Sequence, residues 1–367
     1  MISDMLKEVI EKISETYIKI GKKMPNVCSD GVYDDHTGQW DNWTIGFWPG
    51  ILWHAYAVTK EEKFRSLAVM LEEEMDEVLL DPERYSHDVG FMWLLSAVAD
   101  YRLTGSKASA NRGLRAAYIL AGRFNPAGGF IRAWEGSEDE KRGYAIIDCM
   151  MNLPLLYWAS EYTKDPRFRN IAVRHSDTTL TYFIREDGSS KHICVFDPED
   201  GRYIKNLGGQ GYDENSAWSR GNAWAFYGFT SGYQHTGKRE YLDTAMKCAD
   251  FFLEHLPEDG VPFADFLAPK ETNTHKDSSA AAIAASGLAL LSALTEGKKS
   301  VYYKSQAERI VCSLYENYRD VPGSEAILKH GCGAYHAPES ILDVGLIFGD
   351  YYFVEALLRL DDRKSFL

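Results

Sequence analysis

Polar clusters recur at the heads of apolar, helix-length runs, and this recurrence restricts the fold more than any other feature of the chain. The clusters are Trp43-Thr-Ile-Gly46, His87-Asp88, Ile147-Asp148, Ser216-Ala-Trp-Ser-Arg220, Asp277-Ser-Ser279 and Pro338-Glu-Ser340. Apolar spacing of the helical kind dominates and predicts about twelve helices, near 3–20, 45–59, 61–79, 88–104, 108–122, 146–163, 167–184, 217–235, 239–255, 278–295, 300–317 and 338–359. Breakers such as Asp81-Pro82, Thr104-Gly105, Lys164-Asp-Pro166 and Thr236-Gly237 separate them. Every second helix opens on a polar cluster and then turns small and apolar, while those between carry charge, as in Glu61-Glu-Lys-Phe-Arg65. One interval fits one helical hairpin plus its loop. Six such hairpins close into an all-α (α/α)6 barrel whose inner-helix N-termini share one mouth. The same repeat can also build an open solenoid, but the long, aromatic-rich loops at 123–145 and 185–216 favour a closed barrel with a loop-built pocket. No linker-like composition interrupts residues 1–367, so a single domain is expected. Short strands are expected near 192–206, around the turn Asp197-Pro-Glu-Asp-Gly201.

Charge and cysteine usage narrow the function. A net charge of −14 disfavours nucleic acid as a partner. The longest apolar stretch, about 280–294, is too short to span a bilayer, and its Ala, Ser and Gly content reads as a tightly packed core helix. Six scattered cysteines without a Cys-x-x-Cys pair, behind an N-terminus that reads as an amphipathic helix rather than a leader, lead us to expect reduced thiols and a cytoplasmic protein. Metal-binding, phosphate-loop, dinucleotide and esterase signatures do not occur, so neither a metal nor a cofactor is expected.

Two carboxylates stand out. Asp148 interrupts the apolar run Tyr144–Trp158, and Asp88 opens another beside His87. An Asp at a helix head is often only a cap. Yet a carboxyl in apolar surroundings also acquires a raised pKa, which a general acid working near neutrality requires, and Asp148 is expected to be that acid. A third cluster joins Gly208-Gly-Gln210-Gly-Tyr212 to Trp218, Arg220 and Trp224. Glycines admit close backbone approach, tryptophans offer flat faces and arginine can clamp a carboxylate. Trp40, Trp43, Phe47 and Trp48 form an aromatic cluster in which Trp43, at the helix head, is expected to face the pocket. Trp134 ends the glycine-rich run from Gly128. His192 is a lone loop histidine, more often structural than functional by itself.

At these residues the chain resembles the unsaturated glucuronyl hydrolases of glycoside hydrolase family 88. The matching stretches are 43–53, His87-Asp88-Val-Gly-Phe-Met92, 147–158 and Gln210 through Trp224. The resemblance implies an (α/α)6 barrel acting on lyase-generated oligosaccharides that end in a 4,5-unsaturated uronic acid, by hydration of the C4=C5 vinyl ether. It implies that Asp148 protonates C4 and helps activate water, and that Asp88 holds sugar hydroxyls. His192 and Gln210 would then lie near ring and water, Trp43, Trp134, Trp218 and Trp224 would form stacking walls, Arg220 would orient the substrate, and His87 is expected among the substrate-binding residues. A monomer or homodimer is expected. The rival readings are an unsaturated rhamnogalacturonyl hydrolase, which the run Met150-Met-Asn-Leu-Pro154 disfavours, an epimerase of the N-acylglucosamine 2-epimerase type, whose paired histidines are replaced by carboxylates at the inner-helix heads, and a non-catalytic carbohydrate-binding protein.

Overall fold

Helices facing the centre and helices facing solvent differ in what they bury. In the computed structural model, which describes residues 1–39, 42–81, 86–134 and 139–363, helix α11 (Ser278–Leu294) is buried at every position from Ser278 to Ser292. Helix α12 (Gly297–Asn317) buries only Tyr303, Ala307, Ile310, Val311 and Leu314, one stripe at helical spacing. The first is wrapped by protein and the second lies on the outside. The remaining pairs behave alike. The inner members are α2 (Phe47–Thr59), the composite of α4 (Val89–Trp93), a π turn at Leu94–Val98 and α5 (Ala99–Thr104), then α7 (Leu153–Thr163), α9 (Ser219–Thr236), α11 and α13 (Ile347–Leu360). The outer members are α1 (Ile2–Ile20), α3 (Glu62–Glu74), α6 (Lys107–Gly122), α8 (Pro166–Tyr182), α10 (Arg239–Glu254) and α12.

The inner helices contact one another in sequence order, and α13 returns to α2. That return contact makes the ring an (α/α)6 barrel and rules out the open solenoid. Its interior is filled with side chains such as Leu95, Leu156, Phe226, Leu288 and Phe353, all without exposed surface. Each such residue stabilises the fold by roughly 1.5–3 kcal/mol relative to exposure. Among the described residues, no helix is long and apolar enough to cross a membrane.

Among the described residues, nine short strands dress the mouth. β1 (Val27–Ser29), β2 (Val32–Tyr33), β8 (Gly331–Cys332) and β9 (Leu342–Leu346) form a sheet in the order β2-β1-β9-β8, which ties the two ends of the chain together. β3 (Phe124–Asn125) pairs with β4 (Phe130–Ile131), and β5 (Tyr144–Ile146), β6 (Ile193–Phe196) and β7 (Tyr203–Leu207) form the third sheet. The hairpin expected near 192–206 is present as β6 and β7. The helix expected over 338–359 is corrected: 342–346 is strand, because it pairs with β1 and β8, and α13 starts only at Ile347.

Candidate active site

Strand register places the first pair of functional groups. Ile146 of β5 lies opposite Ile193 of β6, and the Ile147 N–H donates to the His192 carbonyl at 3.0 Å. Asp148, two residues past the first strand, thereby meets His192, one residue before the second, with Nε2 3.4 Å from Asp148 Oδ2. β7 then carries the chain back over the imidazole. The Gln210 N–H donates to His192 Nδ1 at 2.9 Å. Gly209 makes that path possible: its φ is 58°, and a Cβ there would stand 1.9 Å from His192 Nδ1.

A second pair hangs on the same strand. The Ala133 N–H donates to the Tyr144 carbonyl and the His87 N–H to the Ala133 carbonyl, each at 2.9 Å. His87 Nε2 lies 3.4 Å from Asp88 Oδ1. The helix behind Asp88 presses so closely on Asn152 that a Cβ on Gly90 would lie 2.5 Å from the Asn152 Cα. Asp88 stands at the N-cap of α4 and Asp148 in the first turn of a 3-10 helix (Ile147–Met151), but neither side chain makes a capping hydrogen bond, so capping does not account for them. Their side chains are 14% and 15% exposed, enough to be reached from the mouth. His87 Nε2, His192 Nε2 and Asp148 Oδ2 are buried and make no hydrogen bond, so three unsatisfied polar atoms belong to the two pairs.

Electrostatics divide the two carboxyls, and in the opposite sense to the expectation from sequence. Burial, and then the charge of Asp148, push Asp88 up to about 7. Burial is also the largest influence on Asp148, but the approach of His192, with support from Arg220, outweighs it and holds this carboxyl below its ordinary value. Burial drops His87 to about 3, so its ring is neutral. Of the two carboxyls, Asp88 is therefore the one that holds a proton as the pH approaches neutrality. The raised pKa expected for Asp148 is corrected accordingly: in the free enzyme the carboxyl pushed up is that of Asp88.

The expected walls separate into three groups. Trp218 packs on His192 with ring centroids 4.6 Å apart, Trp134 meets His87 edge-on at 6.5 Å, and Trp43 lies partly exposed against Phe91 and Phe348. Gln210 sits at the same rim, its side chain donating to the Gly333 carbonyl at 3.0 Å. Trp224 is not a wall: it has no exposed surface and packs between Phe91 and Tyr352 in the core beneath. Arg220 is not a free clamp either. It is 2% exposed, pairs with Asp277 at 2.8 Å, and donates to the carbonyls of Cys332 and Gly333. With Trp218 and Phe348 against its guanidinium, it builds the wall and acts on Asp148 through its charge. Trp40 lies outside the described residues. Sequence reading missed Asn152, whose signal was an amide inside an apolar run, and Ser86, whose hydroxyl lies 3.3 Å from Asp88 Oδ2.

A barrel of six helical hairpins whose mouth holds two partly buried, unequal carboxyls among aromatic faces defines a carbohydrate-active enzyme. Residues 17–362 match Glycosyl Hydrolase Family 88, and the chain belongs to that family of glycoside hydrolases. It is 39% identical over 354 residues to the unsaturated glucuronyl hydrolase of Bacillus sp. (strain GL1), covering 94% of this chain and 92% of that one. It is 36% identical over 325 residues to the unsaturated chondroitin disaccharide hydrolase of Streptococcus pyogenes serotype M1, covering 86% and 80%. The crystal structure of the unsaturated glucuronyl hydrolase of Bacillus sp. GL1, described as responsible for the degradation of glycosaminoglycan, superposes with a TM-score of 0.93 at 34% identity, over 98% of this chain and 97% of that one.

Proposed function

We propose that this enzyme removes a 4,5-unsaturated uronic acid from the non-reducing end of glycosaminoglycan-type oligosaccharides by hydrating the C4=C5 vinyl ether. The observation that carries the chemistry is a pair of carboxyls at the mouth, Asp88 pushed up and Asp148 held down, each 3.4 Å from a histidine nitrogen that makes no hydrogen bond. A vinyl ether accepts a proton at C4, and water adds at C5. The hemiketal so formed breaks its C5–O5 bond to leave a ketone at C5 and a hydroxyl at C1. The C1 hemiacetal then collapses to an aldehyde and releases the next sugar as an alcohol. No displacement at the anomeric carbon is involved, so carboxylate separation says nothing about stereochemical outcome here.

The substrate supplies what the free enzyme lacks. An anionic uronate brought beside Asp148 disfavours a second negative charge there and raises its pKa. The proton then passes from Asp88 to Asp148, which delivers it to C4 and, as the carboxylate, draws a proton from the attacking water. Asp88, once ionised, accepts hydrogen bonds from sugar hydroxyls. Trp43 and Trp134 provide apolar faces for the ring, while the buried Trp218 backs His192. Six cysteines without a disulfide among them support a cytoplasmic setting.

The test is loss of the ultraviolet absorbance of the conjugated double bond in unsaturated chondroitin, hyaluronan and heparin disaccharides. We expect turnover by the unmodified enzyme and a loss of about 10²-fold or more in kcat for Asp148→Asn, with substrate binding retained. Unsaturated pectin fragments turned over in preference to all three would overturn the substrate class. Full activity in Asp148→Asn would overturn the mechanism.

A further inference from the structure

Asn152, at the head of α7, is fully buried and its amide has one permitted orientation. Oδ1 accepts the Phe91 backbone N–H at 2.7 Å, a donor that cannot be reversed. Nδ2 must therefore face the other way, where it lies 3.3 Å from His87 Nδ1 and 3.4 Å from the Asp148 carbonyl. The bare Gly90 Cα permits this fit, since a Cβ there would stand 2.4 Å from Asn152 Oδ1. An amide nitrogen can only donate, so His87 Nδ1 is the acceptor and its hydrogen resides on Nε2. Across the site, His192 Nδ1 has two backbone neighbours, the Gln210 N–H at 2.9 Å and the Gly208 carbonyl at 3.3 Å; the shorter contact is the one in which Nδ1 accepts, which leaves the hydrogen on His192 Nε2.

We propose that Asn152 is a positioning residue that locks His87 in its Nε2–H tautomer, matching the lock that the Gln210 amide places on His192, so that both histidines present N–H donors to Asp88 and Asp148. With the other tautomer, an Nε2 lone pair would lie 3.4 Å from a carboxylate oxygen in each pair, a repulsive contact. The consequence is a division of labour: the imidazoles serve as donors toward the carboxylates and substrate oxygens, and the carboxyls alone move protons. Neither histidine is then a general base. The structural part of this inference stands on geometry; the kinetic part rests on the hydration reading above.

The experiment is long-range proton–nitrogen correlation NMR on protein labelled with ¹⁵N-histidine, with the His87 signals identified by their loss in His87→Gln. In the unmodified protein, His87 should show a protonated Nε2 and an unprotonated Nδ1. Asn152→Asp keeps the acceptor for the Phe91 N–H but turns the donor into a second acceptor, so His87 should move its hydrogen to Nδ1 or carry two. On an unsaturated disaccharide, kcat should fall about 10²-fold while KM changes much less. A protonated Nδ1 in the unmodified protein overturns the proposal, as does a tautomer unchanged in Asn152→Asp. If that variant does not fold, the unmodified protein alone decides. Failure of the unmodified enzyme on every unsaturated disaccharide would remove the hydration reading and leave the tautomer result standing.

Discussion

Ser86 touches Asp88 twice: its hydroxyl accepts the Asp88 backbone N–H at 3.1 Å and lies 3.3 Å from Oδ2 as a donor. That second contact favours the carboxylate and so works against the burial and the Asp148 charge that push Asp88 up to about 7. If turnover needs the one proton of the pair in the free enzyme, kcat/KM holds on the acid side and falls as pH rises through about 7. Ser86→Ala removes the donor, raises the Asp88 pKa further and should move this alkaline limb to higher pH. A pH profile measured under substrate-limited conditions decides it, and a limb that stays put or moves down would count against Asp88 as the proton holder. The two carboxyls were legible because each interrupts an apolar helix head. Which of them holds the proton was not, since His192 and Arg220 reach Asp148 only through the β5–β6 register and the start of α9. Arg220 followed by a glycine and near tryptophans reads as a clamp, and only the fold reveals that Asp277 and two carbonyls already occupy it.

The loop after β7 shows how an element rather than a residue sets the geometry. Asp265, 1% exposed, fastens it from below: Oδ2 accepts the Tyr212 N–H and the Ser216 hydroxyl, and Oδ1 accepts the Ala217 N–H. The far end of the loop rests on His192 through Gln210. Gly209→Ala would put a methyl 1.9 Å from His192 Nδ1 on backbone with φ of 58°, so either the loop lifts or the ring turns. Because a displacement of about 1 Å at a catalytic group can cost about 10² in rate, kcat/KM should drop by that order. The melting temperature should change by only a few degrees, because the Asp265 anchor survives; unchanged kinetics would remove the loop from the site's architecture. Elements of this kind were partly readable. The hairpin of β6 and β7 announced itself through Asp197-Pro-Glu-Asp-Gly201, a local turn, and the helices through their period. β9 did not, because its partners Val27 and Cys28 lie at the opposite end of the chain and its five residues merge with the apolar start of α13.

Closure of the ring is a property of the whole molecule, and it depends on a seam between residues far apart in sequence. Asp350 of α13 lies in that seam, 1% exposed, and accepts the Tyr33 hydroxyl at 2.7 Å and the backbone N–H groups of Ile327 and Leu328 at 2.7 and 2.9 Å. One carboxyl thus joins β2, the segment entering β8 and the last inner helix. An open stack of hairpins would fray from its terminal repeats, whereas a closed ring has none, and its first and last hairpins share the stability of the rest. Urea unfolding followed by far-ultraviolet circular dichroism and by tryptophan fluorescence should therefore give coincident transitions. Asp350→Ala leaves three buried donors without an acceptor, and each orphaned donor costs about 1–3 kcal/mol. The urea midpoint should fall accordingly. Amide exchange in α1 and α13 should accelerate ahead of that in α9, because the variant opens the ring at its seam instead of weakening it evenly. An unchanged midpoint, or faster exchange spread equally over all helices, would mean that closure is carried by apolar packing of α13 on α2 and α11 and that the Asp350 network merely accompanies it.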